Sequence, residues 1–336
     1  MSEIENKTEI TPDVKPELKK TTIGGQALIE GIMMVGPSRT CIAVRKGDGT
    51  IHVEEITQSE RVTFYEKVPF IRGCIRFYKM LVKGTDALMK SADISEQGAP
   101  QTEGDEEKKP SALDQYLTKH YNVMVTLSAI LGILLSVGLF ILLPWLIVFL
   151  ATKIMGSALA DTTWMSVVLN LAEGVLRMII FFLYLRFASK IEGIDRVWRY
   201  HGAEHKTIAC YEAGEPLTVD NIKKYPRFHP RCGTSFMFLV LAISILIYTV
   251  AGILVGDGRF LVNALIRILL IPVICGISFE ILRAVGRGNN ALCRGLSKPG
   301  LWLQKFTTGE PDAPIIEVAI AAMQAVIPEN ADEDVW

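Results

Sequence analysis

The sequence predicts a mainly α-helical, polytopic membrane protein with about four transmembrane helices and a small N-terminal α+β cap. Half of its 336 residues are hydrophobic and only 8% aromatic, and the mean hydropathy is +0.31. The apolar content gathers into four runs, at about 122–151, 164–188, 235–256 and 260–285. Each is at least as long as the roughly 20 residues that cross a bilayer at about 1.5 Å per residue. Lys and Arg alternate between the connections: residues 186–231 hold nine and residues 283–305 five, whereas the two opposite connections hold Lys153 and Arg259. Cationic connections stay in the cytoplasm, so a multi-pass protein of the cell membrane with both termini cytoplasmic is expected.

Residues 1–20 are polar and rich in Lys and Glu, without an apolar run. They read as a disordered tail with no cleavable signal peptide. Residues 21–90 read as a β-rich cap plus a basic amphipathic helix. Cys41–Arg45 and Ile51–Ile56 alternate as strands about an Asp48-Gly49 turn. Pro69 suits the first turn of a helix. In that helix positions 71, 74, 78, 81, 85 and 88 form an apolar stripe, while Arg72, Arg76, Lys79, Lys83 and Lys90 share another face. Such a helix suits an anionic membrane surface, and equally a place on the cap with its charged face solvated.

Residues 91–111, acidic with Gly and Pro, read as a flexible linker. Residues 112–298 form the four-helix membrane domain, with a cytoplasmic loop at 186–234, and Pro144 is expected to kink or end the first span. Residues 299–336 supply C-terminal amphipathic helices and a tail, and Ile315–Val326 is expected to dock on the cap or the loop. A net charge of −1 gives no global field for nucleic acid, so the bilayer is the expected partner. The six cysteines contain no CxxC pair and are expected as reduced thiols.

The chemistry concentrates in the central loop, which reads Tyr200-His201-Gly202-Ala203-Glu204-His205-Lys206. On a helix, His201 and His205 share one face about 6 Å apart along the axis. Two neutral imidazoles there can ligate one divalent cation, zinc by default, with Glu204 placed to polarise a bound water. Glu212 lies two turns beyond His205, about 10 Å of rise, too far for the same ion without a break, and reads as a supporting or second-metal residue. Downstream, His229-Pro230-Arg231-Cys232 directly precedes the third span. His229 and Cys232 can close a four-ligand site with the first two histidines, or can serve as a hydrogen-bonding imidazole and a small buried thiol. Glu280, near the cytoplasmic end of the fourth span, is the preferred carboxylate third ligand, with a snorkelling surface role as the alternative. Lys206, Arg227 and Arg231 could receive an anionic headgroup, or could serve only to set topology. Within the spans, Glu173 and Arg177 are spaced to pair, and Arg267 has no evident local partner.

The blocks GGQALIEGIMMVGP, RYHGAEHKTIACYEAGEPLTVDNIKKYPRFHPRCGTSF, SFEILR and TTGEP resemble the YqhQ family of bacterial membrane proteins, often labelled predicted metal-dependent enzymes. The resemblance covers roughly residues 21–327 without the acidic linker, and its middle block is highly specific. It implies a membrane location and supplies no substrate. His201, Glu204, His205, His229, Cys232 and Glu280 all fall within matching blocks.

Three functions fit these residues. The first is a metal-dependent hydrolase at the membrane interface: His201, His205 and Glu280 hold the ion, Glu204 is the general base, and the substrate is a membrane peptide or a lipid. The second is a non-catalytic scaffold or partner-binding protein in which His201, His205, His229 and Cys232 close a structural site. The third is a small transporter built around Glu173, Arg177 and Arg267, in which four spans imply a homo-oligomer.

Overall fold

The computed structural model describes residues 20–58, 64–98, 121–155, 163–255, 260–288, 290–330 and 333–334. The expected N-terminal tail up to residue 19, and the expected linker from residue 99 onward, lie outside them. Four helical stretches are long and apolar enough to cross a membrane: Thr126–Ile154, Trp164–Ala188, Gly233–Val255 and Leu261–Arg287. The first joins α2 (Tyr121–Val137) to α3 (Leu143–Met155) through a π-helical turn at Gly138–Leu142. The second and third are α4 (Thr163–Ala188) and α7 (Gly233–Val255). The fourth joins α8 (Phe260–Leu269) to α9 (Ile271–Arg287), with Pro272 in the opening turn of α9. The first span therefore continues through Pro144. The proline lacks the N–H that would reach the carbonyl four residues back, and that Phe140 oxygen accepts instead from Arg177 Nε at 2.8 Å.

The charges inside the bundle answer one another. Glu173 Oε1 accepts from Arg177 and from Arg267, each at 2.5 Å. The partner that sequence spacing does not reveal for Arg267 is thus Glu173, 94 residues away in the chain. Arg177 also donates to Ser244 Oγ at 2.8 Å, and both guanidiniums lie over the Tyr248 ring, at 4.8 and 5.0 Å from its centroid. A guanidinium in an apolar bundle is tolerable only when its donors are used. This cluster uses them to tie α4, α7, α8 and the Pro144 turn together.

Four short strands, β1 (Gly24–Leu28), β2 (Gly31–Val35), β3 (Arg39–Arg45) and β4 (Ile51–Gln58), pair antiparallel in chain order. Gly49 at φ +86° makes the β3–β4 turn. Because side chains alternate along a strand, β2 and β3 feed two cores. Ile32, Met34, Cys41 and Ala43 pack with α5 (Ile194–Glu212) and α11 (Ala313–Gln324). Leu28, Met33, Ile42 and Val44 pack with Ala87 and Ile94 of α1 (Ile71–Ser95). A sheet covered on both faces explains why IMMV is apolar throughout rather than alternating. The C-terminal helix docks on the cap and on α5 together.

α1 departs from its expected face. Its buried positions are Gly73, Gly84, Ala87, Ser91 and Ile94, while Ile71, Tyr78 and Leu81 of the expected apolar stripe are 45%, 68% and 47% exposed. Small residues permit close approach at this face. A Cβ at Gly73 would sit 2.8 Å from the Phe279 side chain of α9. The helix also begins after Pro69, at Ile71, and continues to Ser95, into the start of the expected linker. α6 (Val219–Lys223) is a single turn, and α10 (Ala291–Thr307) follows α9. In α10, Leu303 packs on Phe181 and Leu185 of α4.

Glu173→Gln would leave two buried guanidiniums without their carboxylate. It should lower unfolding stability in detergent by roughly 3–5 kcal/mol, read from thermal or denaturant unfolding. A second expectation concerns Asp334, whose Oδ1 accepts from Thr21 Oγ1 at 2.5 Å and from Thr22 N at 2.8 Å. Burial pushes this carboxyl up, but the Thr21 and Thr22 donors outweigh it and hold it below the usual carboxylate range. Its contribution is therefore complete above the unfolded value of about 3.9 and is lost as pH falls through the lower folded value. The stability gap between wild type and Asp334→Asn should narrow on acidification below about pH 4.

Candidate metal centre

α5 is buried on every side from Tyr200 to Ile208, which is unusual for so polar a sequence. Glycines make the enclosure possible. A Cβ at Gly202 would sit on the Gly309 carbonyl oxygen, and one at Gly25 of β1 would come within 3.1 Å of the Glu204 carboxyl carbon. The Gly309 N–H in turn donates to the Trp198 carbonyl at 2.6 Å. At the outer end of α5, Arg196 pairs with Glu30 in the β1–β2 turn, and Tyr200 donates to the same carboxylate at 3.2 Å. The helix therefore has one rotational setting.

That setting aims two imidazoles and a thiol at one point. His201 Nδ1 lies 2.7 Å from the Thr307 carbonyl oxygen, and His205 Nδ1 lies 2.6 Å from that of Arg227. A carbonyl only accepts, so each Nδ1 carries the proton and each Nε2 presents a lone pair. His201 Nε2 faces Cys232 Sγ at 3.1 Å. His205 Nε2 is buried with no hydrogen-bond partner. The ligand atoms of His201, His205 and Cys232 all lie within 4.8 Å of one another. Cys232 directly precedes α7, so the cluster sits at the end of a span. A buried orphan imidazole nitrogen beside a second lone pair and a thiol is the donor set that zinc prefers.

Glu204 stands outside that ligand group. Its Oε2 is buried without a partner. Burial is the main force raising its carboxyl above the usual range, with His201 and the Gly25 N–H opposing. It is not among the three clustered ligand atoms.

The other predicted residues have different fates. His229 is close, its ring 5.6 Å from that of His205. Its Nε2, however, turns toward the Arg231 guanidinium at 3.3 Å and Glu212 Oε2 at 3.9 Å. Burial, with the positive charge of Arg231 and the neighbouring His205, lowers its imidazole against the pull of Glu212. Glu212 is in ion-pair contact with Arg231 and accepts from the Thr21 N–H at 2.8 Å. Burial raises its carboxyl, yet His229, Arg231 and that N–H bring it below the usual range. Glu280, the preferred carboxylate ligand, is not in the cluster. It lies on the α1 side of α9, in ion-pair contact with Arg72 and accepting from the Phe70 N–H at 3.2 Å. Positive-inside reasoning places it at a boundary but says nothing of which helix it faces.

The cations expected to receive an anion are largely committed. Lys206 pairs with Glu310 and donates to the Lys223 carbonyl at 3.1 Å, and Arg231 pairs with Glu212. Arg227 lies over the Phe228 ring at 5.4 Å and lends its carbonyl to His205.

Two supporting residues were not foreseen. Gln304 of α10, fully buried, accepts from the His229 N–H at 2.8 Å and donates to the His229 carbonyl at 2.7 Å. Thr307 supplies the carbonyl that orients His201. The buried positions of α10 run Gly300, Leu303, Gln304, Thr307, so the available signal was a glutamine on the buried face of an amphipathic period.

A model of a family described as "Protein of unknown function (DUF1385)" matches residues 68–329. The chain is also 33% identical over 309 residues to "Uncharacterized protein YqhQ" of Bacillus subtilis (strain 168), covering 90% of this chain and 92% of that protein. No solved structure matches. If the cluster binds metal, elemental analysis of purified protein should find a stoichiometric divalent ion in wild type and in Glu280→Gln. His205→Ala should lose it. Equal metal in the His205 variant would remove the centre.

Proposed function

The chain belongs to the DUF1385 family, and we propose that it is a metal-dependent hydrolase working at the cytoplasmic interface of the cell membrane. The observation that carries this is the pair of lone-pair nitrogens, each keyed by a backbone carbonyl, converging with Cys232 Sγ within 4.8 Å. His201, His205 and Cys232 would hold the ion, with zinc as the metal that suits two imidazoles and a thiolate. Three protein donors are the complement of catalytic zinc sites, whereas structural sites use four. The metal, when bound, supplies Lewis acidity and lowers the pKa of a coordinated water.

The chain's own groups have separable tasks. Thr307 and Arg227 hold the imidazoles in one tautomer and orientation, the supporting role that metal-site partners commonly play. Glu204, with a buried unpartnered oxygen, accepts a proton as general base. The enclosure of α5 keeps bulk water off both. The cytoplasmic side is supported by the Lys and Arg of residues 186–231 and 283–305 against Lys153 and Arg259 opposite. A membrane peptide or a lipid is the substrate class that fits a centre at the end of a span.

One observation favours a second reading, a closed structural site: the His229 ring lies 5.6 Å from His205, with its backbone clamped by Gln304. Cobalt-substituted protein separates the two. With an open position, an exogenous anion such as azide should perturb the cobalt spectrum, and His229→Ala should keep the metal. Glu204→Gln should also keep the metal, and should lose at least about 100-fold of any hydrolysis found on labelled peptide and lipid panels in proteoliposomes. A spectrum indifferent to anions, together with metal loss in His229→Ala, would establish the structural site instead.

A further inference from the structure

The unexpected face of α1 adjoins a second feature that the metal centre does not use. Around the helix axis, one side buries Gly73, Gly84 and Ala87, and another exposes Ile71, Tyr78, Leu81 and Val82. Arg72, Arg76, Lys79 and Lys83 flank these sides. The first turns of α1 run alongside the fourth span rather than above it. Phe70 packs on Gly276, Cys74 Sγ lies 3.1 Å from the Pro272 carbonyl oxygen, and Phe77 stacks at 5.5 Å on Phe236 of α7. These contacts set the first turns of α1 against α7 and α9.

Beside it, α9 ends in a row of cations. Arg283 and Arg287 are one turn apart, and the Arg76 guanidinium lies 5.7 Å over the Phe279 ring, so it reaches the same helix. The like charges of Arg287, Arg72 and Arg76 all bear on Arg283, against the single opposite charge of Glu280. Glu280 is itself paired with Arg72. Among the described residues, no carboxylate forms an ion pair with Arg76, Arg283 or Arg287. Lys206 and Arg231, near the candidate metal centre, are neutralised by Glu310 and Glu212. The three arginines are not.

We propose that the end of α9 together with α1 binds one anionic phospholipid, its phosphodiester held by Arg76, Arg283 and Arg287 and its acyl chains reaching round α1 to Ile71, Tyr78, Leu81 and Val82. Guanidiniums match phosphate oxygens in bidentate pairs, and basic pockets between membrane helices take acidic headgroups. A free phosphate would satisfy the charges but not the apolar stripe. A zwitterionic lipid would satisfy the stripe but not the charges. The site is independent of the metal chemistry and stands or falls without it.

The test uses full-length protein, purified in neutral detergent, delipidated, and titrated with phosphatidylglycerol or phosphatidylcholine under native mass spectrometry. Phosphatidylglycerol should bind at least about ten-fold more tightly, and less tightly as salt rises. The triple variant Arg76→Gln, Arg283→Gln, Arg287→Gln should bind it about 100-fold more weakly, with unchanged metal content. The triple Lys variant should keep the preference, which covers the case in which the neutral variant fails to fold. Tyr78→Ser with Leu81→Ser should weaken long-chain phosphatidylglycerol but not a short-chain, water-soluble form. Equal retention of both lipids, salt-independent binding, or full competition by inorganic phosphate at matched concentration would each overturn the proposal.

Discussion

The confinement of α5 is the constraint on which the centre depends. A helix carrying two histidines, a glutamate and a lysine within six residues would ordinarily turn that face to water. Here it is enclosed by the sheet, α11 and the Gly309 segment. The enclosure is tight enough that a Cβ at Gly202 would sit on the Gly309 carbonyl oxygen, and one at Gly309 would come within 2.9 Å of Arg199. Enclosure removes water as a hydrogen-bond partner, so every polar atom must find one within the protein. Both imidazole Nδ1 atoms do so at backbone carbonyls. His205 Nε2 and Glu204 Oε2 do not. Two orphaned buried atoms on adjacent residues are costly, and what distinguishes this pair is that one of them, His205 Nε2, converges with His201 and Cys232.

The membrane bundle resolves the same difficulty in the opposite manner. Glu173 shares one oxygen between two guanidiniums, and Tyr248 offers its ring face to both. The spare donors of Arg177 go to Ser244 and to the Phe140 carbonyl that Pro144 leaves without its usual donor. This cluster is satisfied within itself, and its evident task is to hold four helical segments in one arrangement. The charges on which a transport reading rests are engaged with one another in packing.

What the sequence made legible follows from the range of each signal. Apolar runs and loop charge are local, and the four spans lie within a few residues of their expected limits. The i, i+4 spacing of His201 and His205 is equally local, as is the Glu173–Arg177 pair. Cys232, in the same specific block, joins the histidines as its position before a span allowed. Most of the misses are long-range. Glu280 reaches the same boundary as the histidines, but a boundary is a plane and the helices are arranged around it. Its neighbour is Arg72, 208 residues away. Gln304 and the Thr307 carbonyl act on residues 75 and 106 positions distant, and a backbone carbonyl carries no residue-type signature at all. The buried face of α1 escaped because small residues score as weakly apolar, yet they are what two helices need to approach closely.

The two cationic groups at the boundary therefore differ in meaning although the sequence writes them alike. Both satisfy the positive-inside pattern, so topology alone would explain either. Lys206 and Arg231 are each met by a carboxylate from a distant segment, Glu310 and Glu212, and their charge is spent on closing the protein around α5. Among the described residues, Arg76, Arg283 and Arg287 have no such ion-pair partner, and they border a helix that exposes large apolar side chains beside a span. A like-charge cluster costs stability unless a counter-charge is present for most of the molecule's life. The bilayer is the one environment that supplies anions and apolar chains together, at high local concentration and in the right plane. The imbalance at α9 is what supports a lipid site there, whereas Lys206 and Arg231 beside the candidate metal centre are taken up by Glu310 and Glu212.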